Sequence, residues 1–337
     1  MNNITFCKVF TPGRLCLLGE HTDWVALISK DNYGQAIICN LNLGIYLRGC
    51  KSNKFFYKFG RKSIHSDKDT LKNYINDDFF SYVIATFYVL YNRYSIPGVY
   101  IDCYKMTLPM KKGLSSSAAI CVAIIDLCSK IYNLKIPLKL QMELAFEAEI
   151  LTGSKCGKMD QCCALGTGIY DLKFYDDNIV INPIHVPSKL IFVLVDLNGN
   201  KNTTKILSDL NRAYIGDKGV LNNSIKQFLN QISNCYVDQV IESLKSNDIK
   251  TVGQLLNEYQ MLFDEHLTQY CDELKAPLLH NFIDCMKHHS DVLACKGVGS
   301  QGDGFAQILL TDKNKAREII QFVKQKYGYQ CYLITSE

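Results

Sequence analysis

The alternation of apolar and polar residues predicts both short strands and helices in the first half of the chain. Strand-like runs are bounded by turn residues such as Thr11, Pro12 and Gly13, whereas apolar residues at helical spacing continue over several turns. We predict strands at residues 7–10, 15–18, 36–47 and 99–106, a surface hairpin within 51–69 and another hairpin over 169–181. We predict helices at residues 79–94, 118–132, 138–151 and 157–165.

A different order of strands and helices is predicted after the prolines at positions 183 and 187. A strand of the buried type is predicted at 190–196, then a polar loop at 198–204 and helices at 205–213, 218–232, 236–245, 249–264 and 275–289. The chain closes with strands at 292–297, 305–310 and 329–335 and a helix at 313–327. We therefore predict two domains, residues 1–187 and 188–337.

Composition narrows the class of protein. The 337 residues are 47% hydrophobic and 21% charged, with a net charge of +4. These values are typical of a soluble globular protein and give no reason to expect binding to nucleic acid or to membranes. The first residues lack the pattern of a secretory signal, and no apolar run reaches the roughly 18 residues of a membrane helix. We therefore expect a cytoplasmic protein whose 15 cysteines are ordinary reduced thiols, because they lack paired metal-binding spacing.

Residues 109–119, here called the serine loop, form a polar turn that leads directly into an apolar helix. The first N–H groups of a helix have no partner within it, and the helix dipole adds partial positive charge there. Ser115, Ser116 and Ser117 lie beside those donors, close to Lys112. The loop is suited to hold a phosphate, although the same residues could simply cap a core helix. It matches neither a Walker A motif nor a dinucleotide-binding fingerprint.

A second polar cluster follows the strand predicted at residues 15–18. Glu20, His21 and Asp23 give one short turn three side chains that can hydrogen-bond hydroxyl groups. A sugar needs such partners, because each unpaired buried hydroxyl costs about 1–3 kcal/mol. The alternative is an ordinary polar turn with a capping aspartate.

Acidic residues on two neighbouring predicted helices are suited to take part in phosphoryl transfer. Phosphoryl transfer from a nucleotide needs a divalent cation on the phosphate oxygens, and Mg²⁺ often takes only one or two protein ligands. Glu149 and a hydroxyl of the serine loop could supply them. Asp160 could then lie near the attacking hydroxyl, with Arg14 keeping it ionised and oriented. The alternative is that both acids lie on solvated helix faces.

Four motifs, taken in order, resemble those of the GHMP kinases, the superfamily of galactokinase, homoserine kinase, mevalonate kinase and phosphomevalonate kinase. Pro12-Gly-Arg-Leu-Cys-Leu-Leu-Gly-Glu-His-Thr-Asp23 resembles the galactokinase signature, and Gly113-Leu-Ser-Ser-Ser-Ala118 resembles the phosphate-binding motif. Cys156-Gly-Lys-Met-Asp-Gln161 is similar to the segment with the catalytic aspartate of galactokinases. Gly299-Ser-Gln-Gly-Asp-Gly304 occupies the place of the third, glycine-rich motif.

The resemblance implies a fold and a set of residue roles. The fold would be α+β, with an N-terminal ribosomal-protein-S5-like domain and a ferredoxin-like C-terminal domain that carries extra helices. Asp160 would be the catalytic carboxylate, and Arg14 would stabilise it and the transferring phosphoryl group. Sugar contacts would come from Glu20, His21, Asp23, Gly299 and Asp303; ATP contacts from Lys112, Gly113, Leu114, Ser115, Ser116, Ser117, Gly302 and Gly304; and Mg²⁺ ligands from Ser117 and Glu149.

Four features depart from the galactokinase pattern. The interval from Glu149 to Asp160 is one residue shorter than in galactokinases, which leaves Glu147 as an alternative ligand for Mg²⁺. Residues 24–34 intervene where galactokinases continue directly into a strand. Lys111 stands where the phosphate loop usually has a glycine, and Asp303 stands where galactokinases have small or apolar residues. Because residues 24–34 would line the sugar pocket, the resemblance does not identify the sugar.

We therefore expect an ATP- and Mg²⁺-dependent kinase that acts on the anomeric C1 hydroxyl of a monosaccharide, as a monomer or homodimer. Candidate substrates are galactose, arabinose and a uronic acid. Two alternatives stay open: a kinase of a non-sugar alcohol such as mevalonate, and a catalytically silent sensor of sugar and ATP. The cluster of hydroxyl-binding side chains favours a sugar over mevalonate, and the complete catalytic set favours an enzyme over a sensor.

Overall fold

The computed structural model describes residues 6–29, 32–110, 113–176, 178–216 and 220–336. The chain forms two compact units that are interleaved in sequence. The first unit comprises Met1–Arg14, Leu43–Lys111 and Ser115–Gly166, and the second comprises Leu15–Asn42, Lys112–Leu114 and Thr167–Glu337. The domain boundary predicted at residue 187 stays a prediction.

A mixed sheet and three α-helices build the first unit. Its elements are the first part of β1 (Cys7–Leu18), the second part of β2 (Gly34–Lys51), β3 (Phe55–Phe59), β4 (Lys62–Ser66), α2 (Ser81–Tyr94), β5 (Val99–Met106), α3 (Ser116–Tyr132) and α4 (Leu138–Leu151), with 3₁₀-helices at Lys68–Tyr74 and Asp160–Leu165. β3 pairs antiparallel with β4 and parallel with β5, and β5 pairs antiparallel with β2.

α2 and α3 pack on one face of this sheet. Phe55 of β3 packs on Phe87 of α2 with ring centroids 5.1 Å apart. On the same face, α3 lies so close to Gly49 that a Cβ atom there would be 3.1 Å from Leu127. The apolar first half of α3 is buried, as its sequence predicts, and the helix ends at Asn133, whose φ of 53° is left-handed.

The second unit has its own strands and helices. Its elements are α1 (Thr22–Ile28), β6 (Gly168–Tyr175), β7 (Asn178–Pro183), β8 (Ile191–Asp196), α5 (Thr203–Ile215), α6 (Val220–Gln227), a π-helix at Phe228–Ile232, α7 (Ser233–Lys245), α8 (Ile249–Leu267), α9 (Pro277–Met286), β9 (Val292–Gly297), β10 (Phe305–Leu310), α10 (Ala316–Tyr327) and β11 (Gln330–Thr335), with 3₁₀-helices at Thr268–Tyr270, Asp272–Lys275 and Lys313–Lys315. The first part of β2 pairs with β6, and β6 pairs with β7.

The four-stranded sheet has the order β11-β8-β10-β9, and all its pairings are antiparallel. Helices connect β8 to β9 and β10 to β11, which is the strand and helix order of a ferredoxin-like fold. α9 and α10 pack on the sheet through an apolar core that includes Val193, Phe282, Ile308 and Ile319. The ferredoxin-like arrangement with extra helices is therefore confirmed.

Several element bounds are confirmed as predicted, namely the strands at 99–106, 292–297 and 305–310 and the helix at 138–151. The turn predicted at residues 11–13 is wrong, because β1 runs through it unbroken. β1 pairs only with β2 among the described strands, and such a strand tolerates Pro12 because one side of it needs no ladder hydrogen bonds.

Two further segments differ from the prediction. Residues 157–165 form only the 3₁₀-helix Asp160–Leu165, since Gly157 weakens the helical tendency of the segment before it. Residues 24–34 carried no element in our prediction, yet Thr22–Ile28 form α1. Five of the seven residues of α1 are buried, so tertiary packing stabilises a helix too short to be stable by itself.

No helix in the described ranges is long and apolar enough to cross a membrane. The cysteines Cys121, Cys128 and Cys163 are fully buried, and burial raises the pKa of each thiol well above its usual value. These three thiols therefore behave as apolar core groups.

Candidate active site

An ion pair between Arg14 and Asp160 lies at the centre of the candidate site in the first unit. β1 carries Arg14, and Asp160 begins the 3₁₀-helix Asp160–Leu165. Arg14 Nη2 donates to Asp160 Oδ1, while Nε and Nη1 are buried without a hydrogen-bond partner among the described residues. A buried guanidinium with spare donors is suited to bind an anion, because leaving such donors unpaired is costly. The predicted proximity of the two residues is observed, and their catalytic roles stay predictions.

Glu149 is the second acidic residue of this cluster. It lies in the last turn of α4 with only 1% of its surface exposed, so it does not lie on a solvated helix face. The Gln161 side-chain amide and the Ser117 hydroxyl both donate hydrogen bonds to its carboxylate. Burial raises the pKa of Glu149, and these two hydrogen bonds and the charge of Arg14 oppose that rise.

The oxygen atoms around Glu149 fit a Mg²⁺ ion. A carboxylate and a serine hydroxyl are hard ligands, and Mg²⁺ typically completes its shell with water and phosphate oxygens. Within the described residues, no group of three or more His, Cys, Asp or Glu side chains could enclose a metal alone. A Mg²⁺ ion at Glu149 and Ser117 would need further ligands, such as phosphate oxygens, and the two ligand roles stay predictions.

The serine loop leads into α3, as its sequence predicts. Ser115 precedes the helix with a left-handed φ of 59°, and its buried hydroxyl lacks a hydrogen-bond partner in the described part of the chain. Ser116 and Ser117 open the helix, whose first-turn N–H groups point away from the helix body. The turn therefore offers hydroxyl and amide donors to an anion. The predicted ATP contact Lys112 lies outside the described residues, as does Lys111.

In the second unit, Gly113 lies against the segment 298–304, here called the glycine-rich loop. Gly113 has a φ of +80°, and a Cβ atom there would be 3.1 Å from the Val298 carbonyl oxygen. Gly299 has a φ of +61°, and its Cβ atom would be 3.0 Å from the Gly113 carbonyl oxygen. Only glycine suits both positions, because each combines positive φ with a close backbone approach. Leu114, the next residue, is fully buried.

The rest of the glycine-rich loop is held by polar contacts. Gly302 has a left-handed φ of +78°, and Gly304 precedes β10. Asp303 Oδ1 accepts a hydrogen bond of 3.0 Å from the N–H of Leu279, in the first turn of α9. Asp303 thus satisfies a helix N–H that would otherwise lack a partner. Its predicted contact with the substrate stays a prediction.

Glu20 has a partner that sequence reasoning missed. Lys296 of β9 is fully buried, and its Nζ donates both to Glu20 Oε1 and to the Gly297 carbonyl. The Gln307 side chain donates to the same carbonyl at 3.1 Å. Glu20 therefore helps to fix the strand that leads into the glycine-rich loop. Its predicted contact with a sugar hydroxyl stays a prediction.

His21 is buried and neutral. Burial lowers its pKa to about 4; the nearby Ser300 carbonyl opposes this shift, and the positive charge of Lys201 adds to it. His21 Nδ1 accepts a 3.3 Å hydrogen bond from Trp24, so the ring proton lies on Nε2. Nε2 is buried without a hydrogen-bond partner of normal geometry among the described residues, and it could donate to a ligand hydroxyl. Asp23 is buried in the first turn of α1.

Three residues of these clusters were absent from our predictions. Lys296 could have been found, because a lysine inside an apolar strand run signals a buried ion pair. Gln161 directly follows the predicted Asp160, but nothing in the sequence shows that it hydrogen-bonds Glu149. Lys201 lies in a polar loop and gives no signal, although its Nζ donates to the Val298 carbonyl at 3.0 Å.

Comparison with known proteins places these clusters in a family context. Residues 81–168 match the family model of the GHMP kinases N terminal domain. A curated galactokinase from Pyrococcus furiosus is 29% identical over 357 residues, covering 97% of this chain and 94% of that protein. The predicted resemblance to GHMP kinases, and within them to galactokinases, is therefore confirmed.

Solved structures show the fold. The structure of Lactococcus lactis galactokinase complexed with galactose has a TM-score of 0.79 at 17% identity, covering 98% of this chain and 93% of that chain. The Methanococcus jannaschii mevalonate kinase has a TM-score of 0.75 at 18% identity, covering 100% of this chain and 99% of that chain. The chain thus has the α+β fold of the GHMP kinases, as predicted.

Proposed function

We propose that the protein is an ATP- and Mg²⁺-dependent kinase that phosphorylates the anomeric C1 hydroxyl of a monosaccharide. The observation that carries this proposal is the Arg14–Asp160 pair, in which a carboxylate is held beside buried guanidinium donors that have no partner within the described part of the chain. The similarity to galactokinases over most of the chain supports a sugar as the acceptor.

In the proposed reaction the sugar C1 hydroxyl attacks the terminal phosphorus of ATP. The bond from the sugar oxygen to phosphorus forms, the bond from phosphorus to the bridging oxygen breaks, and ADP leaves. Asp160 takes up the proton of the hydroxyl and later releases it to water. The spare N–H groups of Arg14 contact the transferring phosphoryl group and stabilise its charge. Most of the rate enhancement would come from positioning and charge stabilisation.

The remaining residues of the first unit would bind the nucleotide. Ser115 and the first-turn amides of α3 would contact the phosphates. Glu149 and Ser117 would hold Mg²⁺, which neutralises phosphate charge when bound. Gln161 would orient Glu149, because it already hydrogen-bonds that carboxylate.

The sugar would be recognised by the cluster at the start of α1. His21 would donate from Nε2 to a sugar hydroxyl, and its neutral state makes this donor independent of pH near neutrality. Asp23 would accept a hydrogen bond from another hydroxyl, whereas Glu20, buried against Lys296, would hold this turn in place. We further propose that the enzyme works in the cytoplasm, as a monomer or homodimer.

A substrate panel tests this proposal. Purified protein with ATP and Mg²⁺ is incubated with galactose, arabinose, galacturonate, glucose and mevalonate, and ADP formation is followed by a coupled assay. ³¹P NMR of the product then identifies the phosphorylated position. We expect a sugar 1-phosphate from at least one sugar and no reaction with mevalonate. ATP binding without turnover of any sugar would contradict the proposal, and turnover of mevalonate alone would support the non-sugar kinase.

A further inference from the structure

We propose that Lys201 binds the terminal phosphates of the nucleotide. This inference rests on the proposed function and assigns a role to a side chain outside all four sequence motifs. Lys201 follows β8 and precedes α5, in a loop predicted only as polar. Lys201 therefore lies in a part of the chain that the motifs do not cover.

The position of the Lys201 ammonium group is the first argument. Its Nζ donates to the Val298 carbonyl at 3.0 Å, at the start of the glycine-rich loop. The same atom is 3.5 Å from the place that a Cβ atom of Gly113 would occupy. The charge of Lys201 thus lies beside the contact between Gly113 and the glycine-rich loop.

The alkyl chain of Lys201 is the second argument. Its Cδ is 2.9 Å from the place of a Cβ atom on Gly304, and its Cγ is 3.6 Å from the corresponding place on Gly302. These glycines leave room for the stem, so the side chain is held against the loop and not extended into solvent. At the adjoining start of α5, the Thr203 hydroxyl lies 3.3 Å from the Ser300 hydroxyl.

The chemistry of the surroundings is the third argument. Loops with positive-φ glycines turn backbone N–H groups towards a common side and form concavities that bind anions. Gly113, Gly299 and Gly302 all have positive φ angles. The ammonium group of Lys201 lies beside these turns and donates to the Val298 carbonyl. A lysine beside such glycines is suited to contact phosphate oxygens as a compact charge.

Nucleotide binding by the Lys201→Met variant tests the proposal. Affinities for ATP, ADP and AMP are measured by calorimetry in the presence of Mg²⁺. We expect ATP affinity to fall by about 10- to 100-fold, the usual effect of losing a hydrogen bond to a charged group, with AMP affinity unchanged. Lys205→Met is the matched control, because Lys205 lies one turn along on α5, is exposed and pairs with Asp209. Lys201→Arg should retain most of the ATP affinity.

If Lys201 only holds the two loops together, a different result is expected. Equal losses of ATP, ADP and AMP affinity in Lys201→Met, or no loss at all, would overturn the proposal. Should the variant fail to fold, acetylation of the wild-type protein by an N-hydroxysuccinimide ester decides the question. We expect ATP and tripolyphosphate, but not AMP, to slow modification of Lys201 relative to Lys205, and absence of this protection would overturn the proposal.

The proposed function can fail separately. A wild-type protein that binds ATP through Lys201 but phosphorylates no sugar would contradict the kinase proposal and support the role of Lys201. Turnover of a sugar at normal ATP affinity by Lys201→Met would do the reverse. A wild-type protein that binds none of the three nucleotides would overturn both.

Discussion

Two ion pairs anchored close together in the sequence, at Arg14 and at Glu20, lie in different units and differ in their surroundings. In the Arg14–Asp160 pair the carboxylate side chain is 26% exposed, and the arginine has buried donors without partners among the described residues. In the Glu20–Lys296 pair the side chains are 1% and 0% exposed. We expect the first pair to act on a ligand and the second to hold the fold.

An ion pair therefore cannot be assigned a role from its charges alone. A sealed pair has paid its desolvation cost on folding, so removing one partner leaves an isolated buried charge. A partly open pair can exchange water for a ligand with little change in the fold. The predictions that follow separate these two situations.

The largest effect is expected for Asp160→Asn. Loss of the carboxylate should lower kcat by about 10²- to 10⁴-fold, the usual contribution of a positioned general base. Affinity for ATP and sugar should change little, because Asn still accepts a hydrogen bond from Arg14. Steady-state kinetics with calorimetric binding of both ligands measures this. Unchanged turnover would show that Asp160 is no catalytic residue, and a wild type without any turnover would favour the sensor.

Lys296→Met should mainly affect stability. It leaves Glu20 buried without its counter-ion, and we expect a loss of about 3–5 kcal/mol in the free energy of unfolding. Chemical denaturation followed by circular dichroism measures this loss. The double variant Glu20→Gln with Lys296→Met should recover part of it, because no isolated charge remains. A stable Lys296→Met protein with selectively impaired sugar binding would place this pair in the ligand site instead.

The pH dependence of stability should report the burial of His21. Its pKa is about 4 in the folded protein and 6.5 in the unfolded chain, so between these values only the unfolded chain binds the proton. The free energy of unfolding therefore decreases as pH falls from about 6.5 to 4. At pH 4.5, His21 lowers it by about 2.5 kcal/mol.

His21→Gln is the variant that isolates this contribution. Between pH 7 and pH 4.5, urea denaturation should show a loss of stability about 2.5 kcal/mol smaller than in the wild type. Because other groups titrate in both proteins, only this difference is diagnostic. Identical pH profiles would mean that His21 is accessible to protons in the folded state.

Gln161→Leu should give the smallest effect. Gln161 hydrogen-bonds Glu149 and would orient it towards Mg²⁺, and loss of such a supporting contact typically costs about 10- to 100-fold in metal affinity. The Mg²⁺ dependence of turnover and Mn²⁺ binding followed by EPR both measure this. Gln141→Leu is the control, since that amide of α4 donates to the Ile136 carbonyl. Equal effects in both variants would argue against a metal at Glu149.

Much of the fold follows from local patterns. β5 and α4 have the predicted bounds, because their apolar residues recur at clear strand and helix spacing and turn residues flank them. α1 escaped prediction because burial of Trp24 and Val25 stabilises a short segment with little helical signal. Pro12 and Gly13 suggested a turn, but pairing with β2 keeps β1 extended.

Some residues of the candidate site were likewise predicted from the sequence, and others were found only in the structure. Sequence reasoning predicted roles for Arg14, Asp160, Glu149 and the serine loop, because phosphate and metal chemistry requires those residue types near such turns. Lys201 contacts the glycine-rich loop only through the folded path of the chain, so no spacing in the sequence predicts it.

Sequence patterns alone were enough to predict the class of fold, the order of the motifs and the candidate side chains for phosphoryl transfer. Only the tertiary structure decided which charges are sealed and which stay open, as the contrast between Lys296 and Asp160 shows. The physical reason is that desolvation and hydrogen-bond pairing depend on neighbours distant in sequence, whereas hydrophobic periodicity and turn chemistry are local.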